Sequence, residues 1–235
     1  MGKRTIASIF ACLCIIPLLY TVLATAIIRI TGFGIVKKAN RTGIALTFDD
    51  GPHPVYTVKL LDLLKRHNVR ATFFVVGEKA QLHPALLKRM HAEGHQIGIH
   101  HLQHSSSWLL TPGQLKKQLV ETEQIIQEAT GVRPFLYRPP WGFMNAASIP
   151  LAKSRDYKII IWSHHFKDWK VASCETILLE GLRQVPEDGS IILLHDDGTN
   201  PGADDEAPDV MLSKLQIFLE EATAKGVRFI LPISN

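Results

Sequence analysis

An α/β fold on a parallel sheet, preceded by one membrane-crossing helix, is what this sequence predicts, and three observations predict it. The stretch Thr5–Ile28 carries no charge and is nearly all apolar. Strand-like and helix-like segments alternate through the remainder of the chain, the pattern of a parallel sheet with crossover helices. The less usual polar residues fall just after the strand-like runs.

The first element is the apolar run. At a helical rise of about 1.5 Å per residue it can cross a bilayer core about 30 Å thick. Lys3 and Arg4 before it favour an amino terminus in the cytoplasm. Arg29, Lys37, Lys38 and Arg41 after it pull the other way, so an outward-facing body rests partly on the function argued below. Pro17 is tolerated inside a membrane helix. Ala24-Thr25-Ala26 resembles a signal-peptidase site, which makes a cleaved secretion signal the competing reading. The run is longer than the roughly 7–15 apolar residues of such signals, and this favours an uncleaved anchor. Cys12 and Cys14 lie within the run as small hydrophobes, and Cys174 stands alone in the remainder, so no disulfide is expected within the body.

Residues 1–41 thus supply the anchor, or signal, and a linker. Residues 42–235 form the body, one domain of ordinary size. Hydrophobic residues make up 46% of the chain and charged residues 20%, which excludes a disordered or fibrous protein. The formal charge is +4, but Lys3, Arg4, Arg29, Lys37, Lys38 and Arg41 all lie in the first 41 residues, with no acid among them. The body keeps 20 of the 26 basic residues against all 22 acidic ones, so nucleic acid is not expected as a partner.

Ile44–Phe48 opens the body as a short apolar strand ending in two aspartates. Val58–His67 has helical spacing through Leu60, Leu61, Leu63 and Leu64. Ala71–Val76 is β-branched and aromatic, and Pro84–Ala92 reads as a helix stopped by Gly94. Ile97–Ile99 is a brief strand. Thr111-Pro112-Gly113-Gln114 has the form of a capping box with proline at the first helical position, and it opens a long helix running to Gly131. Further strands are expected at Phe135–Tyr137, Ile159–Trp162, Ile191–Leu194 and Arg228–Leu231, with helices over Ala147–Arg155, Glu175–Gln184 and Asp209–Lys225. Seven strands alternating with helices make a parallel sheet, closed as a barrel or open and doubly wound. Asp196–Pro208 is a long polar insert.

In such folds the carboxyl ends of the strands open onto one face, where active sites form. Asp49-Asp50, His100, Arg138, Asp168 and His195 fall at such ends and would converge on one pocket. Adjacent aspartates on a strand point to opposite faces, but the sharp Gly51-Pro52 turn can bring both to one site; an Asx turn closing the strand is the plainer reading. His100 and His104, four apart in a helical turn, would share a face and could grip one metal ion; spacing alone equally permits His101 with His104. Two histidines and a carboxylate leave positions open for water or substrate, as catalytic zinc requires. Arg138 precedes the rigid Pro139-Pro140-Trp141-Gly142 and is placed to hold a carboxylate. His195 ends an apolar strand, a fitting place for a proton donor near neutral pH. Trp141, Trp162 and Trp169 could form a sugar-stacking wall or simply pack in the core.

In combination these residues resemble a known family. Thr47–Pro52 (TFDDGP) is similar to the first motif of the NodB-homology polysaccharide deacetylases, carbohydrate esterase family 4, and His100 with His104 to the second. Arg138-Pro139-Pro140-Trp141-Gly142 is similar to the third, Asp168-Trp169 to the end of the fourth, and Leu193-Leu194-His195 to the fifth. The resemblance covers about residues 42–235 and implies a distorted (β/α) barrel with fewer than eight repeats, in keeping with about seven strands. It further implies that Asp50, His100 and His104 bind a divalent metal, usually zinc, with Co2+ or another divalent cation as the alternative. Asp49 would be the general base, held by Arg138. His195 would be the general acid, tuned by Asp168. Leu193 and Trp169 would line an apolar groove for the acetyl methyl, beside Trp141. Three positions depart from the family pattern: His165 where an aspartate often opens the fourth motif, His101 in place of Ser or Thr, and Trp141 in place of a tyrosine.

The expected activity is metal-dependent hydrolysis of N-acetyl groups on an envelope or extracellular polysaccharide. Peptidoglycan N-acetylglucosamine or N-acetylmuramic acid comes first, and chitin-like chains second. An O-acetyl (xylan-type) esterase would use the same chemistry. A catalytically silent glycan-binding protein is the alternative of a different class, motivated by His165 and His101. Phosphoester hydrolysis fits the metal donors but lacks a glycine-rich phosphate cradle. The expected location is the cell membrane with the body outside the cytoplasm, or the exterior after signal cleavage.

Overall fold

The computed structural model describes residues 17–233. Eight strands, all paired in parallel, form one sheet: β1 Ile35–Val36, β2 Gly43–Asp49, β3 Thr72–Val75, β4 Gln96–Ile99, β5 Leu136–Tyr137, β6 Lys158–Ile160, β7 His164–His165 and β8 Asp188–His195. Their order is β1-β6-β5-β4-β3-β2-β8-β7. Between β6, beside one edge, and β7, at the other, there are only the residues Ile161–Ser163. Ile161 donates to Val36 of β1 and Ser163 to Ile191 of β8. So short a link across the sheet requires that it curl into a barrel with its edges brought together.

The pleat sorts the side chains. Ala45, Phe74, Leu136, Ile160 and Ile191 pack together inside the curl. Their neighbours Ile44, Leu46, Phe48, Phe73, Val75, Ile159, Ile192 and Leu194 face outward, into the larger core beneath the helices. Burial on both faces explains why β2 and β8 read as continuous apolar runs rather than as alternating ones.

Helix boundaries follow local signals. The Thr111–Gln114 capping box is formed by both of its hydrogen bonds, and the helix Pro112–Thr130 ends on Gly131 in the left-handed conformation. The helices Tyr56–Arg66, Pro84–Ala92, Ser148–Ser154 and Ala207–Ala224 stand within two residues of their expected places.

The strand count differs from the expected seven. Arg228–Leu231 does not form a strand; Phe229 makes one isolated bridge to Ile44. The reason is that β2 is flanked on both sides, by β3 and β8, and has no free edge except at the register shift between Gly43 and Ile44. There Ile44 bonds Arg228 and Ile230 instead. Two short strands were not anticipated. His164–His165 is polar and two residues long, and Ile35–Val36 lies in the segment read as anchor and linker.

Of the apolar run, residues 5–16, with Cys12 and Cys14, lie outside the described residues. Among the described residues no helix is long and apolar enough to cross a membrane. Leu19–Leu23 winds as a π-helical turn that continues into the helix Ala24–Thr31. Thr21, Thr25 and Ile28 face the body, while Leu18, Leu19, Val22, Leu23, Ile27 and Ile30 are exposed.

Gly98 sits opposite Phe74 in the β3–β4 register, where a Cβ would come within 2.6 Å of the Phe74 ring. Gly98→Val should therefore lower unfolding stability by about 1–3 kcal/mol through overpacking. Gly113→Ala, where a Cβ meets nothing within 4 Å, should leave it unchanged or slightly raised. Urea unfolding of the two variants checks the pair.

Candidate active site

The same pleat that fills the barrel with Ala45, Phe74, Leu136, Ile160 and Ile191 builds the site above them. One or two inward steps further along each strand stand Thr47 and Asp49, Arg138, Trp162, and Leu193 and His195. His100 follows β4 in the same way, one inward step beyond Gly98. Asp49 and His195 are register partners across β2 and β8. The polar residues at the strand ends thus meet because one face of one curled sheet carries them.

Arg138 is completely buried. Its Nη1 donates to Asp49 Oδ1 at 2.6 Å and to Thr47 Oγ1 at 2.8 Å, and its Nε donates to the Ile160 carbonyl at 3.1 Å. The Phe74 ring lies 4.1 Å from the guanidinium carbon, in the space left by Gly98. Asp49 is fixed by one oxygen and keeps Oδ2 toward the cleft, 3.8 Å from His100 Nε2.

Asp50 leaves the strand in the left-handed conformation, φ 79°, and this reversal brings two adjacent carboxylates to the same side. Its Oδ1 lies 3.3 Å from His100 Nε2 and 3.2 Å from His104 Nε2. Burial works against its charge, but the two rings and His195 hold its pKa well below the usual carboxylate range. One donor atom from each of Asp50, His100 and His104 falls within 4.8 Å of the others. Oδ1 of Asp50 is buried, yet neither ring nitrogen is aligned to hydrogen-bond it. A buried acceptor facing two imidazole nitrogens off-axis suits a shared cation better than a hydrogen-bonded cluster, so these donors fit a divalent metal. His100 is oriented for it: Nδ1–H donates to the Arg138 carbonyl at 2.7 Å, leaving the Nε2 lone pair toward Asp50.

His195 faces this group. Its Nδ1 bonds Asp168 Oδ1 at 3.0 Å, and its backbone N–H donates to Asp168 Oδ2 at 2.6 Å. Burial opposes protonation, but Asp168, with Asp50 and Asp49 behind it, pushes the imidazole up to about 10. Asp49, Asp50, His100, His104 and His195 open into a cleft of about 330 Å³. Its walls are Trp141, Phe143, Trp162, Trp169 and Leu193, with Asn200–Ala203 from the polar insert. Trp141 stands over His104, ring centroids 4.2 Å apart, and Trp169 meets His195 edge-on at 5.3 Å.

Two readings left open by spacing are resolved. The segment from His100 to His104 is a bend, not a helical turn. His101 adopts φ 66°, which turns its ring away from the pair. Its Nε2 bonds Tyr137 Oη at 2.8 Å and its Nδ1 the Ser105 carbonyl at 2.9 Å, and burial pushes it down to about 3. His100, not His101, therefore pairs with His104. His165 is exposed on β7 and lies parallel to Trp169, 6.1 Å between centroids.

Sequence reading passed over Thr47, which joins Arg138 to the Ile192 carbonyl. It also passed over Asp196, which accepts from Gly51 N–H at 3.1 Å and from the Thr57 hydroxyl. Burial pushes Asp196 up to about 7. Of the remaining cleft residues, Phe143 carried no signal in the sequence, and Asn200–Ala203 were legible only as part of a polar insert.

The chain is similar in sequence and fold to several known proteins. The family model described as polysaccharide deacetylase matches residues 17–160. A peptidoglycan-N-acetylglucosamine deacetylase of Bacillus cereus is 36% identical over 192 residues, 81% of this chain and 67% of its own. The peptidoglycan-N-acetylmuramic acid deacetylase PdaC of Bacillus subtilis is 39% identical over 157 residues, 67% of this chain but only 33% of its own length. Among solved structures, the Bc1960 peptidoglycan N-acetylglucosamine deacetylase superposes with a TM-score of 0.73 at 31% identity, covering 87% of this chain and 93% of that one.

Titration calorimetry with zinc separates the two histidine pairings. His104→Ala and His100→Ala should each abolish stoichiometric binding, whereas His101→Ser should keep it, because His101 bonds only Tyr137 and Ser105.

Proposed function

This chain belongs to the polysaccharide deacetylase family, carbohydrate esterase family 4, and from that premise we propose that it hydrolyses N-acetyl groups of peptidoglycan at the outer face of a cell membrane. One observation carries the reading. A carboxylate held by a buried arginine and an imidazole held protonated by a buried aspartate face the same cleft as an Asp-His-His donor set. A glycan-binding module has no use for a base and an acid poised together.

A divalent cation held by Asp50, His100 and His104, zinc foremost, would supply Lewis-acid activation of water and of the acetyl carbonyl. Asp49 takes a proton from the attacking water with Oδ2, since Oδ1 is occupied by Arg138. The water oxygen bonds to the acetyl carbon, and the carbonyl oxygen gains the charge. In the turn at Pro140–Gly142 the two backbone bonds are donated by Gly142 and Phe143. The Trp141 N–H lies outside them and is offered to the oxyanion. His195 then protonates the sugar nitrogen as the C–N bond breaks, releasing acetate. Leu193 and Trp169, next to His195 in the wall, suit the acetyl methyl.

The names of the relatives support N-acetylglucosamine as the sugar, with N-acetylmuramic acid as the second choice. Membrane attachment is supported by the uncharged run Thr5–Ile28 and by the exposed apolar face that its described half presents. Thr25 bonds Met144 and Trp108, so cleavage at Ala24-Thr25-Ala26 would remove a residue built into the body. That favours the uncleaved anchor.

Full-length protein in mild detergent should release acetate from purified peptidoglycan and from N-acetylglucosamine oligomers, stop with chelator and recover with zinc. Release from acetyl xylan alone would move the assignment to an O-acetyl esterase. Asp49→Asn and His195→Ala should keep zinc binding and lose activity by roughly 10²–10⁴-fold. His195 acts in its protonated form, so activity should fall as pH rises through its pKa. Asp168→Asn removes the negative charge that raises that pKa. The alkaline limb of the kcat profile should therefore move to lower pH, by roughly 1–3 units.

A further inference from the structure

Three threonines stand in the segment from the π-helical turn to the end of the helix Ala24–Thr31, and they behave differently. Thr21 and Thr31 donate to the carbonyls four residues back, Pro17 at 2.6 Å and Ile27 at 2.7 Å. That is the ordinary resting place of a hydroxyl in an apolar helix. Thr25 turns its hydroxyl away from the helix. It accepts from Met144 N–H at 2.9 Å and from Trp108 Nε1 at 2.8 Å, and donates to the Met144 carbonyl.

The helix turns on either side of Thr25 reach the same place. Tyr20, in the π-helical turn, accepts from Ala146 N–H at 2.9 Å. Arg29 lies over the Trp162 ring, 5.0 Å from its centroid, and its Nη1 stands within 2.5 Å of where a Cβ on Gly142 would be. Gly142 is itself in the left-handed conformation, as is Trp141 before it. Trp108, held by Thr25, stacks on Phe143 at 4.2 Å and 13°. The segment Trp141–Ala146, whose Trp141 and Phe143 line the cleft together with Trp162, is thus fastened to one face of the N-terminal helix.

We infer that the helix Ala24–Thr31 is a brace behind the active-site wall as well as the end of an anchor, with Thr25 and Arg29 as positioning residues for the turn that carries Trp141. The inference rests on the deacetylase reading for its kinetic consequence, though not for the coupling itself. Neither residue lines the cleft, so each acts on the reaction by fixing Trp141 N–H, Phe143 and Trp162. Loosening that turn misplaces a donor that matters in the transition state more than in substrate binding.

The test is Thr25→Val, which removes the hydroxyl at nearly constant volume, beside Thr25→Ser, which keeps it. Arg29→Gln reads the same coupling one turn on. In full-length protein acting on N-acetylglucosamine oligomers, Thr25→Val should lower kcat by roughly 10- to 100-fold, as expected of a displaced transition-state contact. KM and zinc stoichiometry should change little, and serine should restore kcat. Amide hydrogen exchange at Phe143 and Met144 should quicken in the valine variant and not in the serine one. Arg29→Gln should shift the tryptophan emission and lower kcat in the same sense. Unchanged kcat and unchanged exchange in Thr25→Val would overturn the inference, and so would a loss that serine fails to restore. Should wild type release no acetate, the deacetylase reading falls while the exchange experiment still decides the coupling.

Discussion

The ion pair between Arg138 and Asp49 is the constraint on which the remainder of the site depends. A guanidinium without solvent exposure carries a desolvation cost of several kcal/mol, which well-formed bonds from its N–H groups offset. Here a carboxylate, a threonine hydroxyl and a backbone carbonyl receive its N–H groups, and an aromatic face lies against it. The consequence reaches beyond Asp49. The carbonyl of the same residue receives His100 Nδ1–H, so the side chain of Arg138 fixes the Asp49 carboxylate and its backbone fixes the His100 ring. One buried residue therefore ties the two halves of the site together, and neither half can drift without disturbing the other.

The sheet makes this possible. Because β2 has neighbours on both sides, its backbone is fully committed and Thr47 and Asp49 are held rigidly on the inward pleat. Asp50 belongs to the same strand in sequence but not in conformation. Its left-handed φ breaks the alternation that would have sent it outward into the helical layer. The step from strand to site thus costs one residue of unfavourable backbone, placed where a carboxylate is needed beside another.

Much of this was legible in the sequence, and the limits follow from physics. Long helices announced themselves through local chemistry: Thr111 with Gln114 at one end and Gly131 at the other are signals that no tertiary contact has to interpret. Buried strands such as Ile44–Phe48 and Ile191–Leu194 were legible as apolar runs. Arg228–Leu231 ends in a similar apolar run and failed because the neighbouring strand had no edge to offer, a fact about topology rather than propensity. His164–His165 could not be seen because two polar residues carry no period. In the site, strand ends located Asp49, His100, Arg138 and His195, but the choice of His100 over His101 required a backbone angle that spacing does not encode. The docking of Thr25 onto Met144 was equally hidden, since a threonine in an apolar run ordinarily satisfies itself within its helix.

His101 and His195 show how the fold assigns roles to chemically identical groups. Both rings are largely withdrawn from water, and burial alone would drive both toward the neutral form. His101 faces a phenol, a carbonyl and two other imidazoles, none of which repays a positive charge, and it settles at about 3. His195 faces Asp168 directly, with the charges of Asp50 and Asp49 nearby, and it rises to about 10. The first is a neutral brace that holds the bend carrying His104 against Tyr137. The second stays charged through the neutral range and has a proton to give. The pair differs chiefly in the partners placed against each ring, so the division between structure and chemistry is set by the groups that the strand ends and the loops after them bring together.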